Sequence, residues 1–257
     1  MPVPGAVTDP AAVTGADVTV DSGGTALEAY LARPAAGGTG GGIIIIHEAF
    51  GPVPHIHDLA RRFANVGFNA LAPNLYTRVG SPKQDDMQDL FTKMLGVNDG
   101  QAVKDLEACA AHLRALDGAN GKVGCIGFCS GGRQTLLFAC SSDKVDAAVD
   151  CWGGFITRGA PDAETTPSRP TPVIDLAPNL SCPLFLVGGA EDPDPSPEIL
   201  ADLKGRLDKA GKKNVDMQIW DNAGHAFLAD YREANYREGP AHELWPRIVA
   251  FFERHLS

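Results

Sequence analysis

The sequence predicts an α/β fold: a doubly wound, mostly parallel sheet preceded by an antiparallel hairpin. Three observations carry this. Short apolar runs alternate with helically spaced apolar residues along most of the chain. Residues 43–46 are isoleucine throughout, as expected of a strand covered on both faces. Chemically capable side chains also recur just after predicted strands, at the edge where such sheets bind ligands.

In chain order, residues 1–16 are rich in Pro, Ala and Gly and read as a loosely attached arm. That leaves 17–257 as a single α/β domain. Residues 18–20 and 27–31 alternate around Asp21-Ser22-Gly23-Gly24, which predicts a hairpin. A flexible stretch, 34–42, leads into the 43–46 strand and then His47-Glu48-Ala49-Phe50-Gly51. Ile56, Leu59, Ala60, Phe63 and Ala64 share one helical face. A strand at 68–72 ends in Pro73-Asn74-Leu75-Tyr76-Thr77-Arg78, and the acidic stretch 80–100 reads as a surface helix. Ala102, Leu106, Cys109, Leu113 and Leu116 predict a helix stopping at Gly118.

A strand at 147–152 is followed by 156–180, a Pro/Thr/Asp-rich loop long enough to suggest a functional segment or lid. Residues 183–187 and 215–220 are further strands, separated by a helix carrying Ile199, Leu203, Leu207 and Ala210. Leu244, Ile248, Phe251, Phe252 and His255 mark a last helix that Pro246 should start or kink.

Residues 122–140 form the centre of this plan. Val123 and Ile126 are strand formers; Leu136, Leu137 and Cys140 are helically spaced. Between them, Gly127-Phe128-Cys129-Ser130-Gly131-Gly132 has the spacing of a nucleophile elbow, with cysteine where serine is usual. Such a turn holds its middle residue in a strained conformation, and its glycines admit close backbone. A thiol there also meets the positive end of a helix dipole, which favours thiolate. The plain alternative is a buried structural cysteine.

Glu48, Cys129, Trp152, Asp192 and His225 all follow predicted strands. Cys129, Asp192 and His225 run in the order nucleophile, acid, histidine, as in α/β-hydrolases. Histidine would take the thiol proton and return it to the leaving group; a carboxylate would fix the tautomer and stabilise imidazolium. Asp192, stiffened by Pro193, is the favoured acid, with Asp194 as the fallback.

On His47-Glu48-Ala49-Phe50-Gly51, Asn74-Leu75-Tyr76-Thr77-Arg78, residues 122–132, Gly189-Ala190-Glu191-Asp192-Pro193 and Ala223-Gly224-His225-Ala226-Phe227, the chain resembles the dienelactone hydrolase family over about 27–256. The resemblance implies the α/β-hydrolase fold and a Cys129, Asp192, His225 triad. It implies that Glu48 interacts with the thiol and helps form thiolate on substrate binding. The N–H groups of Ser130 and Ala49 would form the oxyanion hole.

The family's substrate-carboxylate arginines are replaced here by Ala229 and by the acidic stretch Asp85-Asp86-Met87-Gln88-Asp89-Leu90. Arg78 is left as the cation to meet an anion. Phe50, Tyr76, Phe128, Trp152 and Phe227 would line an apolar pocket. The expected substrate is a small ester or lactone, with no cofactor and no metal; His47, His55 and His57 read as solvated.

Composition narrows the alternatives. A net charge of −10 with scattered basic residues argues against nucleic acid. The N-terminus lacks the pattern of a signal peptide, and residues 43–46 are too short a run to span a membrane. Without a secretory signal the six cysteines are expected as free thiols in the cytoplasm, and the lack of a C-x-x-C pair argues against structural zinc or a thioredoxin-type role. A monomer or homodimer is expected. Two other classes compete with the hydrolase: a binding protein on the same scaffold, and a redox-sensing thiol with Cys151 or Cys125 as its resolving partner.

Overall fold

In the computed structural model, which describes residues 2–37, 40–157 and 166–257, the chain builds one eight-stranded sheet of order β1-β2-β4-β3-β5-β6-β7-β8. β1 (Val13–Ser22) and β2 (Thr25–Pro34) pair antiparallel. Their two-residue turn, Gly23-Gly24, has φ of 61° and 85°, values a hairpin turn needs and glycine supplies without strain. β2 runs antiparallel to β4 (Asn69–Pro73). Every later pairing is parallel, through β3 (Gly42–Ile46), β5 (Val123–Phe128), β6 (Ala147–Cys151), β7 (Leu184–Gly189) and β8 (Val215–Trp220).

β3 through β7 are buried at every position, because helices cover both faces. The two-residue period of β3 divides its side chains between two cores. Ile43 and Ile45 pack with α1 (Pro54–Asn65) and α6 (Glu238–Leu256). Ile44 and Ile46 pack with α3 (Asp99–Arg114), α4 (Ser130–Ser141) and α5 (Pro197–Lys209). The remaining helix, α2 (Met87–Gly96), lies beside Ala49.

Three expectations need correction. Residues 1–16 are not a loose arm: β1 starts at Val13, and the Pro4 carbonyl accepts from buried Arg62 at 3.0 Å. Gly5 lies so close to Trp245 that a Cβ would come within 2.4 Å of the indole. α6 does not start at Pro246: it begins at Glu238 and includes that proline, and Leu244, Ile248, Phe251 and Phe252 keep one face in the core. That burial offsets the roughly 3 kcal/mol that an interior proline costs. Of the expected lid, residues 158–165 lie outside the described residues. Its later part forms a 3-10 helix, Val173–Asn179, with Val173, Ile174 and Ala177 buried. Among the described residues, no helix is long and apolar enough to cross a membrane.

Candidate active site

β5 delivers the chain to Cys129, which adopts φ 57° and ψ −119° before α4 begins. The glycines around it explain how this strained turn fits. A Cβ on Gly127 would lie 2.0 Å from the Gly131 carbonyl oxygen, and one on Gly131 would lie 2.3 Å from that of Ile46. One on Gly132 would meet Asp150 Oδ1 at 2.4 Å. The start of α4 is thereby wedged between the ends of β3 and β6. Its first-turn N–H groups, Ser130 foremost, have no intrahelical acceptor, and the helix dipole adds positive potential near the partly exposed thiol.

Two neighbouring loops bring the acid and the histidine together. The Ala190 and Glu191 amides donate to the carbonyls of Trp220 and Ala223, each at 2.9 Å. His225 Nδ1 donates to Asp192 Oδ2 at 2.8 Å. Asp192 is 3% exposed, and its other oxygen accepts the Asp194 amide at 3.0 Å. Asp194 instead accepts the Phe155 amide at 3.0 Å, and burial pushes its carboxyl up.

The Cys129 sulfur lies near enough to the His225 ring to favour its charged form. Burial of the ring opposes its charged form most strongly. The combined hydrogen bonds and charges of Asp192 and Cys129 outweigh that, and the pKa is raised to about 10. Imidazolium therefore persists at neutral pH.

The third component is the turn after β3. His47 is buried; its Nε2 accepts the Leu75 amide at 3.1 Å and its Nδ1 donates to the Glu48 carbonyl at 2.7 Å. Burial lowers its pKa to about 4, so it is neutral and ties the Glu48 backbone to the Leu75 backbone, one through each ring nitrogen. Glu48 is 2% exposed, and its Oε2 accepts the Tyr231 hydroxyl at 2.6 Å. The next carbonyl, that of Ala49, accepts the Tyr76 hydroxyl at 2.8 Å.

The structure thus hydrogen-bonds His225 to Asp192 with Cys129 close to the ring, and sets Glu48 and Ala49 on the turn after β3. It places the expected pocket residues differently. Arg78 pairs with Asp105 at 2.9 Å and bonds Ser22 and Thr25, so it is committed to the β1–β2 turn and α3. Tyr76, Phe128, Trp152 and Phe227 are all core side chains, with Trp152 packed between Phe128 and Phe227. Phe50 alone of that group is partly exposed, and the Arg232 guanidinium lies 5.3 Å from its ring centroid.

Of the three early histidines, expected to be solvated, His47 and His55 are buried and His57 is partly exposed. His47 is buried, His55 pairs with Asp230 at 3.1 Å, and His57 stacks on Tyr30. Tyr231 and Arg232 escaped sequence reasoning, since no spacing or motif marks them. His55, Asp58 and Asp230 have metal-like proximity. The Arg62 guanidinium is ion-paired to both carboxylates, so their charge already has a partner.

Comparison with known proteins bears on family and fold. The model of the dienelactone hydrolase family matches residues 27–256. A protein of Methylorubrum extorquens named "Putative carboxymethylenebutenolidase" is 34% identical, the alignment covering 89% of this chain and 77% of that protein. The carboxymethylenebutenolidase of Rhodococcus opacus is 29% identical, covering 89% and 86%. A crystal structure described as a putative dienelactone hydrolase from Klebsiella pneumoniae superposes with a TM-score of 0.86 at 33% identity, covering 94% of this chain and 99% of that one.

Proposed function

The chain belongs to the dienelactone hydrolase family, and on that premise we propose that it hydrolyses small carboxylic esters or lactones through Cys129 and a thioester acyl-enzyme. The observation that carries this reading is the chain Cys129–His225–Asp192, with its 2.8 Å histidine–carboxylate bond, built on a strained turn at a helix N-terminus.

The Cys129 sulfur attacks the acyl carbon, and the carbonyl electron pair moves onto oxygen. That oxyanion is met by the N–H groups of Ser130 and Ala49; a donor of this kind is worth about 10²–10³ in rate. As the tetrahedral intermediate collapses, imidazolium at His225 protonates the departing alkoxide or enolate and the thioester remains. His225, now neutral, takes a proton from water as water attacks the thioester, and the carboxylic acid leaves with the thiolate restored. Asp192 holds the Nδ1–H tautomer and balances the ring's charge in both halves. Glu48, on the adjoining turn, completes the proposed site as the carboxylate that assists thiolate formation.

A thiolate expels stabilised anions such as enolates and phenolates well, so activated esters and unsaturated lactones should be better substrates than alkyl esters or amides. The decisive experiment compares wild type with Cys129→Ala on a panel of aryl esters and unsaturated lactones. Turnover should vanish in the variant while its melting temperature stays near wild type. Wild-type activity in Cys129→Ala would overturn the assignment.

A further inference from the structure

We propose that Tyr231 is a positioning residue for Glu48, its phenol acting as a fixed hydrogen-bond donor that orients the carboxylate beside Cys129. This rests on the functional reading above and assigns a role to a residue that no motif marks. The 2.6 Å separation between Tyr231 Oη and Glu48 Oε2 is that of a phenol bound to a carboxylate. Glu48 is 2% exposed, so few other donors can reach it, whereas Tyr231 is 46% exposed.

Tyr231 is held in place by its surroundings. Its ring packs against His55, with centroids 4.8 Å apart. The preceding residue, Asp230, is ion-paired to His55 Nδ1 at 3.1 Å and to buried Arg62. Both partners sit on α1, which packs against the central strands. The turn that follows His225 is therefore fastened to α1 at Asp230, and Tyr231 is delivered to Glu48 from a fixed base. Burial and the neighbouring Glu48 charge push its phenol far above the ordinary tyrosine range, so it stays protonated and able to donate wherever the enzyme works. The Cys129 sulfur is close enough to contribute to that shift, which puts phenol, carboxylate and sulfur in one electrostatic neighbourhood.

The consequence is functional coupling. Removing the hydroxyl leaves the ring and its contact with His55 but frees the Glu48 side chain to turn. If Tyr231 acts through Glu48, its loss matters only while Glu48 can act.

The test is a double-mutant cycle of wild type, Tyr231→Phe, Glu48→Gln and the double variant. Two readouts are taken: kcat and KM on an aryl ester, and the rate of Cys129 alkylation by iodoacetamide followed by peptide mass spectrometry. The second needs no turnover, so it remains measurable if Glu48→Gln is inactive. Melting temperatures of all four proteins establish that they are folded.

Tyr231→Phe should lower kcat about tenfold with KM within about twofold, and should change the Cys129 alkylation rate at least about threefold. In the Glu48→Gln background the same substitution should change alkylation less than about 1.5-fold. Equal effects in both backgrounds, or no effect in wild type, would overturn the proposal. Failure of the functional reading looks different, because Cys129→Ala would then keep its activity whatever the cycle shows.

Discussion

Two aspartates two residues apart illustrate how function is decided at single side chains. Asp192 faces His225 and Asp194 faces the Phe155 amide, so the two carboxylates have separate tasks. Asp192→Asn should lower kcat about 10³–10⁴-fold through loss of the tautomer and its counter-charge, whereas Asp194→Asn should alter kcat less than about tenfold. Steady-state kinetics of the two variants on one ester separate them; the reverse ranking would make Asp194 the triad acid. Tyr76, expected to touch substrate, is instead a buried strut under Ala49. Tyr76→Phe should therefore reduce kcat about three- to tenfold with KM nearly unchanged, through a looser turn at Ala49, the proposed oxyanion donor. A rise in KM alone would return Tyr76 to substrate binding. Cys129, Asp192, His225 and Glu48 were legible in the sequence because each follows an apolar strand run within a few residues, in a short stretch that contains glycine. Tyr231 and the true partners of Arg78 were not legible, since those contacts join segments remote in sequence and obey no period.

Elements place these residues, and the elbow shows how little slack they have. Gly132 packs against Asp150 Oδ1 on β6 and against the Cys151 carbonyl, which would be 2.8 Å from an added Cβ. Gly132→Ala must push α4 away from β6, so it should destabilise the protein by about 1–3 kcal/mol and depress activity further by moving the Ser130 amide. Chemical denaturation with parallel kinetics would check this, and unchanged stability would show that the wedge yields freely. The strands themselves were readable because burial on both sheet faces leaves unbroken apolar runs such as 43–46. The register of β1 was not. Val13–Asp17 pair with β2 through backbone bonds while several of their side chains face solvent, so composition there looks like a loose arm. Likewise Pro246 reads as a helix start or kink, and the apolar face continuing on both sides of it accounts for α6 beginning earlier, at Glu238.

Over the whole molecule, the shifted groups set how stability depends on pH. His225 keeps its proton in the folded state to about 10, against 6.5 for an ordinary histidine. The folded chain therefore binds more protons than the unfolded one across that window. The stabilisation is complete below about 6.5 and is lost as pH rises through about 10. Asp150, buried under the elbow, is raised by desolvation to about 7 from 3.8, so its contribution also declines with rising pH, between those values. His47 has the opposite sign: burial keeps it neutral down to about 4 while the unfolded chain protonates near 6.5, so stability rises with pH across that interval. Below about pH 6.5 Asp150 and His47 offset each other, whereas above it His225 acts without that counterweight. Beyond pH 9 the buried thiols of Cys125, Cys140 and Cys182, pushed by burial to about 12, extend the decline. The melting temperature of wild type should accordingly change little from about pH 5 to 6.5 and fall from about pH 7 to 10. In His225→Gln the fall between about pH 7 and 9 should shrink, while the loss at higher pH, which belongs to the thiols, should persist. A wild-type melting temperature that rises from neutral to mildly alkaline pH would mean that His225 is not held as imidazolium by Asp192 and Cys129, and the proton inventory of the proposed mechanism would have to be redrawn.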